Sequence, residues 1–124
     1  MRQITLQEFH AELKAQGMAR RSDAAFKCPI CGTVQSIVSL LAAGVPEDLV
    51  ETQVGFSCEG RWTKAGPFKR ARHGSPSPRG CDWTLGGLFK LHTLEVIMPD
   101  GSVQPVFEIS THDEAMALAA ELDK

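Results

Sequence analysis

A chain of 124 residues with 43% hydrophobic and 23% charged residues fits one folded domain and excludes wholesale disorder. Its longest mostly apolar stretch, Ile37 to Val45, is broken by Ser39 and followed by Pro46, far short of the roughly 20 residues that span a bilayer. The net charge of −2 hides a split, because six basic residues and one acid lie between Glu59 and Gly80, leaving seven basic and fourteen acidic residues elsewhere.

Thr5-Leu6-Gln7-Glu8 has capping-box spacing, and Leu6, Phe9 and Leu13 share one helical face, which predicts a helix from about Leu6 to Gln16 ended by Gly17. A polar connector, Arg20 to Asp23, leads to an extended Ala25-Phe26-Lys27 that enters Cys28-Pro29-Ile30-Cys31-Gly32. Ser36 is placed to cap a short helix that Gly44 ends, and Pro46-Glu47-Asp48 suits the first turn of another running to about Thr52. Val54 to Cys58 reads as a short strand. Residues 60–80 hold four glycines and three prolines, the composition of an inserted loop. Leu94 to Met98 and Val103 to Ile109 read as strands joined by Asp100-Gly101, a hairpin signal, and Pro105 places the second strand at an edge. Thr111 to Glu114 repeats the capping box before the apolar stripe Ala115, Leu118, Ala119 and Leu122. The whole is expected to be one α+β domain over residues 1–124. It comprises a zinc-ribbon-like strand region with a long inserted loop, a C-terminal β-hairpin and flanking helices.

Cys-x-x-Cys-Gly lets two thiolates approach one ion while its turn aims backbone amides at sulfur. With Cys58 and Cys81 the chain supplies the four ligands a zinc tetrahedron takes, although 22 residues separate that second pair. Loop-closure entropy grows slowly with length, so the interval is tolerable if the loop leaves and re-enters at adjacent points, which Gly60 and Gly80 flank. The alternatives are a site of three cysteines and His73 or His92, and unpaired structural thiols. Four protein ligands leave no open position for water, which points to a structural rather than a catalytic Zn2+. The beginning of the chain has no apolar signal region, so a reduced cytoplasmic setting is expected, where cysteines serve metal rather than disulfides.

His10-Ala11-Glu12 followed by Cys28 and Cys31 has elements of a zinc nucleobase deaminase, but only 15 residues separate Glu12 from Cys28 and Lys27 stands where the motif has proline. No Ser-His-Asp order, phosphate-binding glycine loop or paired-carboxylate context is present either, so no enzyme is expected.

Three blocks carry a resemblance: Phe26 to Gly32, Gly55 to Arg61, and Gly80-Cys81-Asp82-Trp83-Thr84-Leu85-Gly86-Gly87-Leu88-Phe89. Together they resemble small zinc-ribbon-like proteins encoded by bacteriophages and prophages. That resemblance implies a four-cysteine metal site at Cys28, Cys31, Cys58 and Cys81 and a phage or bacterial cytoplasmic setting, and it implies no activity.

The basic segment supplies the functional expectation. Arg61, Lys64, Lys69, Arg70, Arg72 and Arg79 suit phosphate contacts, with Trp62 and Phe68 available to stack on bases. If all six engaged a duplex, log K would fall against log salt with a slope of about −5. The competing expectation is a protein-binding modulator of a host complex, using either the basic loop or acids such as Glu47, Asp48 and Glu51. Trp83, Leu85, Leu88 and Phe89 are expected to pack over the metal, with Gly86-Gly87 marking a close backbone approach.

Overall fold

A computed structural model describes residues 2–66, 80–85 and 91–122. Strand β1 (Arg2–Thr5) runs directly into helix α1 (Leu6–Ala15). The junction is the anticipated capping box, in which the Glu8 N–H donates to Thr5 Oγ1 at 3.1 Å and the Thr5 N–H donates to Glu8 Oε1 at 2.9 Å. Gly17 leaves the helix with φ +80°, a conformation that side chains resist.

After a single 3-10 turn at Arg21–Asp23, β2 (Ala25–Lys27) and β3 (Val34–Ser36) form an antiparallel pair. Ser36 caps α2 (Ile37–Ala42) by a reciprocal exchange with Ser39. Helix α3 (Val50–Gln53) begins later than Pro46-Glu47-Asp48 suggested, because those residues form a turn instead. Helix α4 (Gly60–Thr63) stands at the start of the segment read as loop.

Strands β4 (Leu94–Ile97) and β5 (Val103–Val106) form the expected hairpin around Asp100-Gly101, and Gly101 has φ +87°. Pro105 lies on the edge strand of the sheet ordered β1-β4-β5. The Val103–Ile109 stretch is not one strand. It breaks at fully buried Phe107, whose N–H donates to Gly55 O at 2.9 Å, and resumes as β6 (Glu108–Ile109) beside β2 in the second sheet, ordered β3-β2-β6. One chain segment thus serves both sheets. Helix α5 (His112–Leu122) follows the second capping box and buries Ala115 and Leu118 against Ala25 of β2.

Five α-helices and two three-stranded sheets are present among the described residues, an α+β arrangement with a C-terminal hairpin and flanking helices. Strand β1 was not anticipated, for it pairs in parallel with β4 across some ninety residues of sequence, from Arg2 beside Leu94 to Thr5 beside Ile97. Val54 to Cys58 is not a strand either, since helix α3 runs into turns and only Ser57 bridges, to Thr84. The main core gathers Phe26, Leu40, Val45, Val50, Val54, Leu85 and Phe107 around three of the cysteines.

Candidate metal centre

Cys28 and Cys31 sit on the connection between β2 and β3, where a tight turn brings the chain back on itself. The Gly32 N–H donates to Cys28 O at 3.0 Å, and the Cys28 N–H donates to Thr33 O at 2.9 Å. Gly32 adopts φ +75°, which closes this turn without a side-chain penalty.

The second pair is assembled from opposite ends of the long interval. Cys58 precedes α4, and its N–H donates to Trp83 O at 3.1 Å, while the Cys81 N–H donates to Cys58 Sγ at 3.3 Å. Gly60 and Gly80 cross so closely that a Cβ on Gly60 would lie under 3.0 Å from backbone atoms of Gly80 and Cys81. No larger residue fits there. The loop ends are therefore adjacent, as the spacing argument required.

Side chains tie the halves together. The Gly80 N–H donates to Thr33 Oγ1 at 2.8 Å, and the same hydroxyl lies 3.0 Å from Cys31 Sγ. Gln35 is fully buried, and its Nε2 donates to Val54 O at 2.8 Å and to Ser57 O at 2.9 Å. Its Oε1 accepts the Glu59 N–H at 2.8 Å. That amide holds the irregular segment around Cys58 against β3 where no ladder does. Neither Thr33 nor Gln35 stood out in the sequence, because a polar residue in or just before a three-residue strand has no periodic signature.

All four sulfurs lie within 4.8 Å of one another. Cys31 and Cys58 are 3.6 Å apart and Cys28 and Cys81 are 3.8 Å apart. A tetrahedron with metal–sulfur bonds of about 2.3 Å has edges of about 3.8 Å, so the donor set fits one thiolate-bound ion. No disulfide joins these cysteines. The sulfurs also perturb one another strongly. Hydrogen bonds from Cys28 and Cys58 pull the Cys31 thiol far below its ordinary range, and the Cys31 and Cys58 contacts push Cys28 far above. At Cys58 the Cys28 contact pulls downward, but the Cys31 contact and burial outweigh it and leave the thiol raised. Burial pushes Cys81 up to about 12. All four sulfurs could be ionised together only with a cation beside them to offset their charge.

His92 does not join the cluster. It is buried before β4, with Nε2 2.9 Å from Glu95 Oε2. Trp83 stacks on Phe107 at 5.7 Å with an interplanar angle of 21°, and Leu85 is buried in the same core. Of the six basic residues, Arg61 and Lys64 are exposed at the end of α4, where Arg61 Nη1 donates to Asp82 O at 2.7 Å. Lys69, Arg70, Arg72 and Arg79 lie outside the described residues, as do Phe68, His73, Gly86, Gly87, Leu88 and Phe89. His10 and Glu12 sit on α1, and Glu12 takes part in an exposed ion pair with Arg2 at 3.0 Å.

A family model described as VVA0879-like matches residues 5–110, and the chain belongs to that family. The match takes in all four cysteines. No curated protein and no solved structure matches the chain.

Proposed function

We propose that this VVA0879-like chain is a zinc-stapled binding module, in which a closed four-cysteine site fixes the ends of a basic loop that contacts nucleic acid. The observation that carries the reading is the assembly of Cys28, Cys31, Cys58 and Cys81 into one cluster whose second half closes the 58–81 interval. Zinc bound there supplies cross-linking and charge, and with four protein sulfurs around it no position is left for a substrate or water. Binding rather than catalysis follows from that chemistry. The zinc-ribbon-like character and the bacteriophage or prophage setting, with a bacterial cytoplasm as compartment, belong to this proposal.

Support for the nucleic-acid partner is electrostatic. Arg61 and Lys64 stand exposed where the loop leaves the metal centre, and four more basic residues follow before Cys81. A cluster of that sign steers polyanions even on a chain of net charge −2.

Two measurements test the reading. Elemental analysis of protein purified without chelator is expected to give one zinc per chain, and well under one would refute the site. Fluorescence anisotropy against duplex DNA, single-stranded DNA and RNA over a salt series is expected to show binding that weakens steeply with salt. The triple variant Lys69→Ala, Arg70→Ala, Arg72→Ala should lower affinity and flatten the slope by about 3 for a duplex. Absence of binding at low salt would discard the nucleic-acid partner in favour of a protein of the host.

A further inference from the structure

The four sulfurs are not equally reachable. Cys28, Cys58 and Cys81 are 0–1% exposed, whereas Cys31 is only partly buried. Cys31 also borders an open surface hollow of about 370 Å³ between the turn after β2 and helix α5. Thr33, Val34, Ala117 and Leu118 line this space, with Glu114 and Glu121 on its α5 side. Glu114 is held by Lys27 Nζ at 2.7 Å. A reagent entering from solvent therefore meets one sulfur, and meets it beside two carboxylates.

We propose that Cys31 is the oxidation site of the centre and that a small neutral peroxide is its oxidant. This rests on the metal site proposed above. Lys27 neutralises Glu114, but Glu121 and the net negative charge of four thiolates around one divalent ion disfavour anionic oxidants, while hydrogen peroxide carries no charge. The Cys31 thiolate donates an electron pair to one peroxide oxygen, the O–O bond breaks, and hydroxide leaves, giving the sulfenic acid at Cys31. Cys58, 3.6 Å away, is the resolving partner. Its thiolate attacks the Cys31 sulfur, the S–O bond breaks, and a second hydroxide leaves as the disulfide forms. Two thiolates have then given two electrons to one peroxide. With half its donors withdrawn, the centre no longer retains a cation. The Thr33 link between Cys31 and Gly80 places the loop end at the point of oxidation, so loss of the centre releases the loop.

The test uses the full chain as purified, treated with limiting hydrogen peroxide and a sulfenic-acid trap, with fragment mapping by mass spectrometry and zinc release followed by a chromogenic chelator. Trapping at Cys31 should exceed that at each other cysteine by about tenfold or more, since access governs thiolate reactivity. Without the trap, a Cys31–Cys58 disulfide should accumulate in step with zinc release. Ala117→Phe, which places a ring at the hollow on its α5 side, should slow Cys31 oxidation several-fold at unchanged zinc content. First reaction at Cys28, Cys58 or Cys81, even reaction at all four, or an Ala117→Phe rate equal to the parent's would overturn the assignment. A disulfide from Cys31 to Cys28 instead would overturn the resolving role of Cys58. Should the chain carry no zinc, the metal reading fails separately, and the same order of trapping on the metal-free chain still decides which sulfur is reached first.

Discussion

Gly60→Ala should be among the most damaging single changes in this protein, against what its local structure suggests. Gly60 lies in helix α4 without a positive φ, so alanine would ordinarily stabilise by about 1 kcal/mol. The crossing with Gly80 reverses the sign. A Cβ would fall under 3.0 Å from the backbone of Gly80 and Cys81, and backbone cannot rotate aside as a side-chain tip can. Relief requires parting the two strands of chain by several tenths of an ångström or more. Metal–sulfur bonds tolerate only about 0.2 Å, so in the proposed zinc site Cys58 and Cys81 could not both remain ligands through such a shift. Overpacking alone costs about 1–3 kcal/mol, and loss of a ligand adds a share of the roughly 10–16 kcal/mol that structural zinc contributes. The assay is zinc release to a competing chelator, followed together with thermal unfolding, with Gly44→Ala as control. Gly44 has φ +104° and nothing within 4 Å of a Cβ, so its variant should lose about 1–2 kcal/mol of stability and keep its zinc. A Gly60→Ala protein that holds zinc as tightly as the parent and melts no lower would refute the close crossing as the device that closes the site.

Gln35→Leu keeps the volume and removes the amide, stranding two carbonyls and one N–H that it now serves. It should destabilise by about 3 kcal/mol or more and weaken zinc retention, both readable by denaturant titration in the presence of chelator. Removal of the metal should speed amide hydrogen exchange in residues 28–36 and 57–66 before it does so in the β4–β5 hairpin, whose ladder uses no sulfur. Uniform acceleration would contradict this. Lys27 Nζ at 2.7 Å, with the Thr111 N–H, holds the Glu114 carboxyl below its usual range. A depressed carboxyl stabilises above its unfolded pKa and loses that contribution as pH falls through the folded value. The stability difference between the parent and Glu114→Gln, about 1 kcal/mol at neutral pH, should therefore shrink between about pH 5 and pH 3. A difference independent of pH would rule the ion pair out as its cause.

What the sequence revealed was what its neighbours in sequence decide. The capping boxes at Thr5 and Thr111, the Ser36 cap and the Asp100-Gly101 turn each depend on residues three or four apart, and each is where it was expected. The sulfur cluster was legible for another reason, because Cys-x-x-Cys-Gly and two further cysteines make up the donor set of one tetrahedral metal site. Strand β1 was hidden, since nothing in Arg2–Thr5 announces a partner at Leu94–Ile97. The break at Phe107 was hidden too. Alternation along Val103–Ile109 fits one strand as well as two, and only the approach of Gly55 O to the Phe107 N–H divides it. Val54 to Cys58 has strand-like composition but divides its hydrogen bonds among α3, Gln35, Phe107 and the Trp83–Leu85 segment without forming a ladder, so composition misled there.

Gln35 has a counterpart that explains how such short strands suffice. Gln16, at the end of α1, is buried, and its Nε2 donates to Ala25 O and Ser110 O, each at 2.9 Å. Its Oε1 accepts the Ala25 N–H at 3.0 Å. One amide thus joins α1, β2 and the entry to α5, as the other joins β3 to the segments bearing Cys58. Strands of two to four residues offer few ladder bonds, and backbone left unpaired inside a core costs about 1–3 kcal/mol per group. A primary amide has both donor and acceptor, so it can replace a missing strand locally at both of its edges. The two glutamines therefore flank β2 and β3, the pair whose connection carries Cys28 and Cys31. A metal held by the sulfurs would fix that connection at its tip, and the amides fix it at its base. Neither can substitute for the other, because a cross-link at the tip leaves the buried carbonyls of Val54, Ser57 and Ser110 without the amide donors that reach them, although Ala25 O keeps the Ser110 N–H at 3.1 Å. Gln16→Leu should accordingly lower stability as Gln35→Leu does, yet leave zinc retention nearer to that of the parent, since none of its partners bears a ligand.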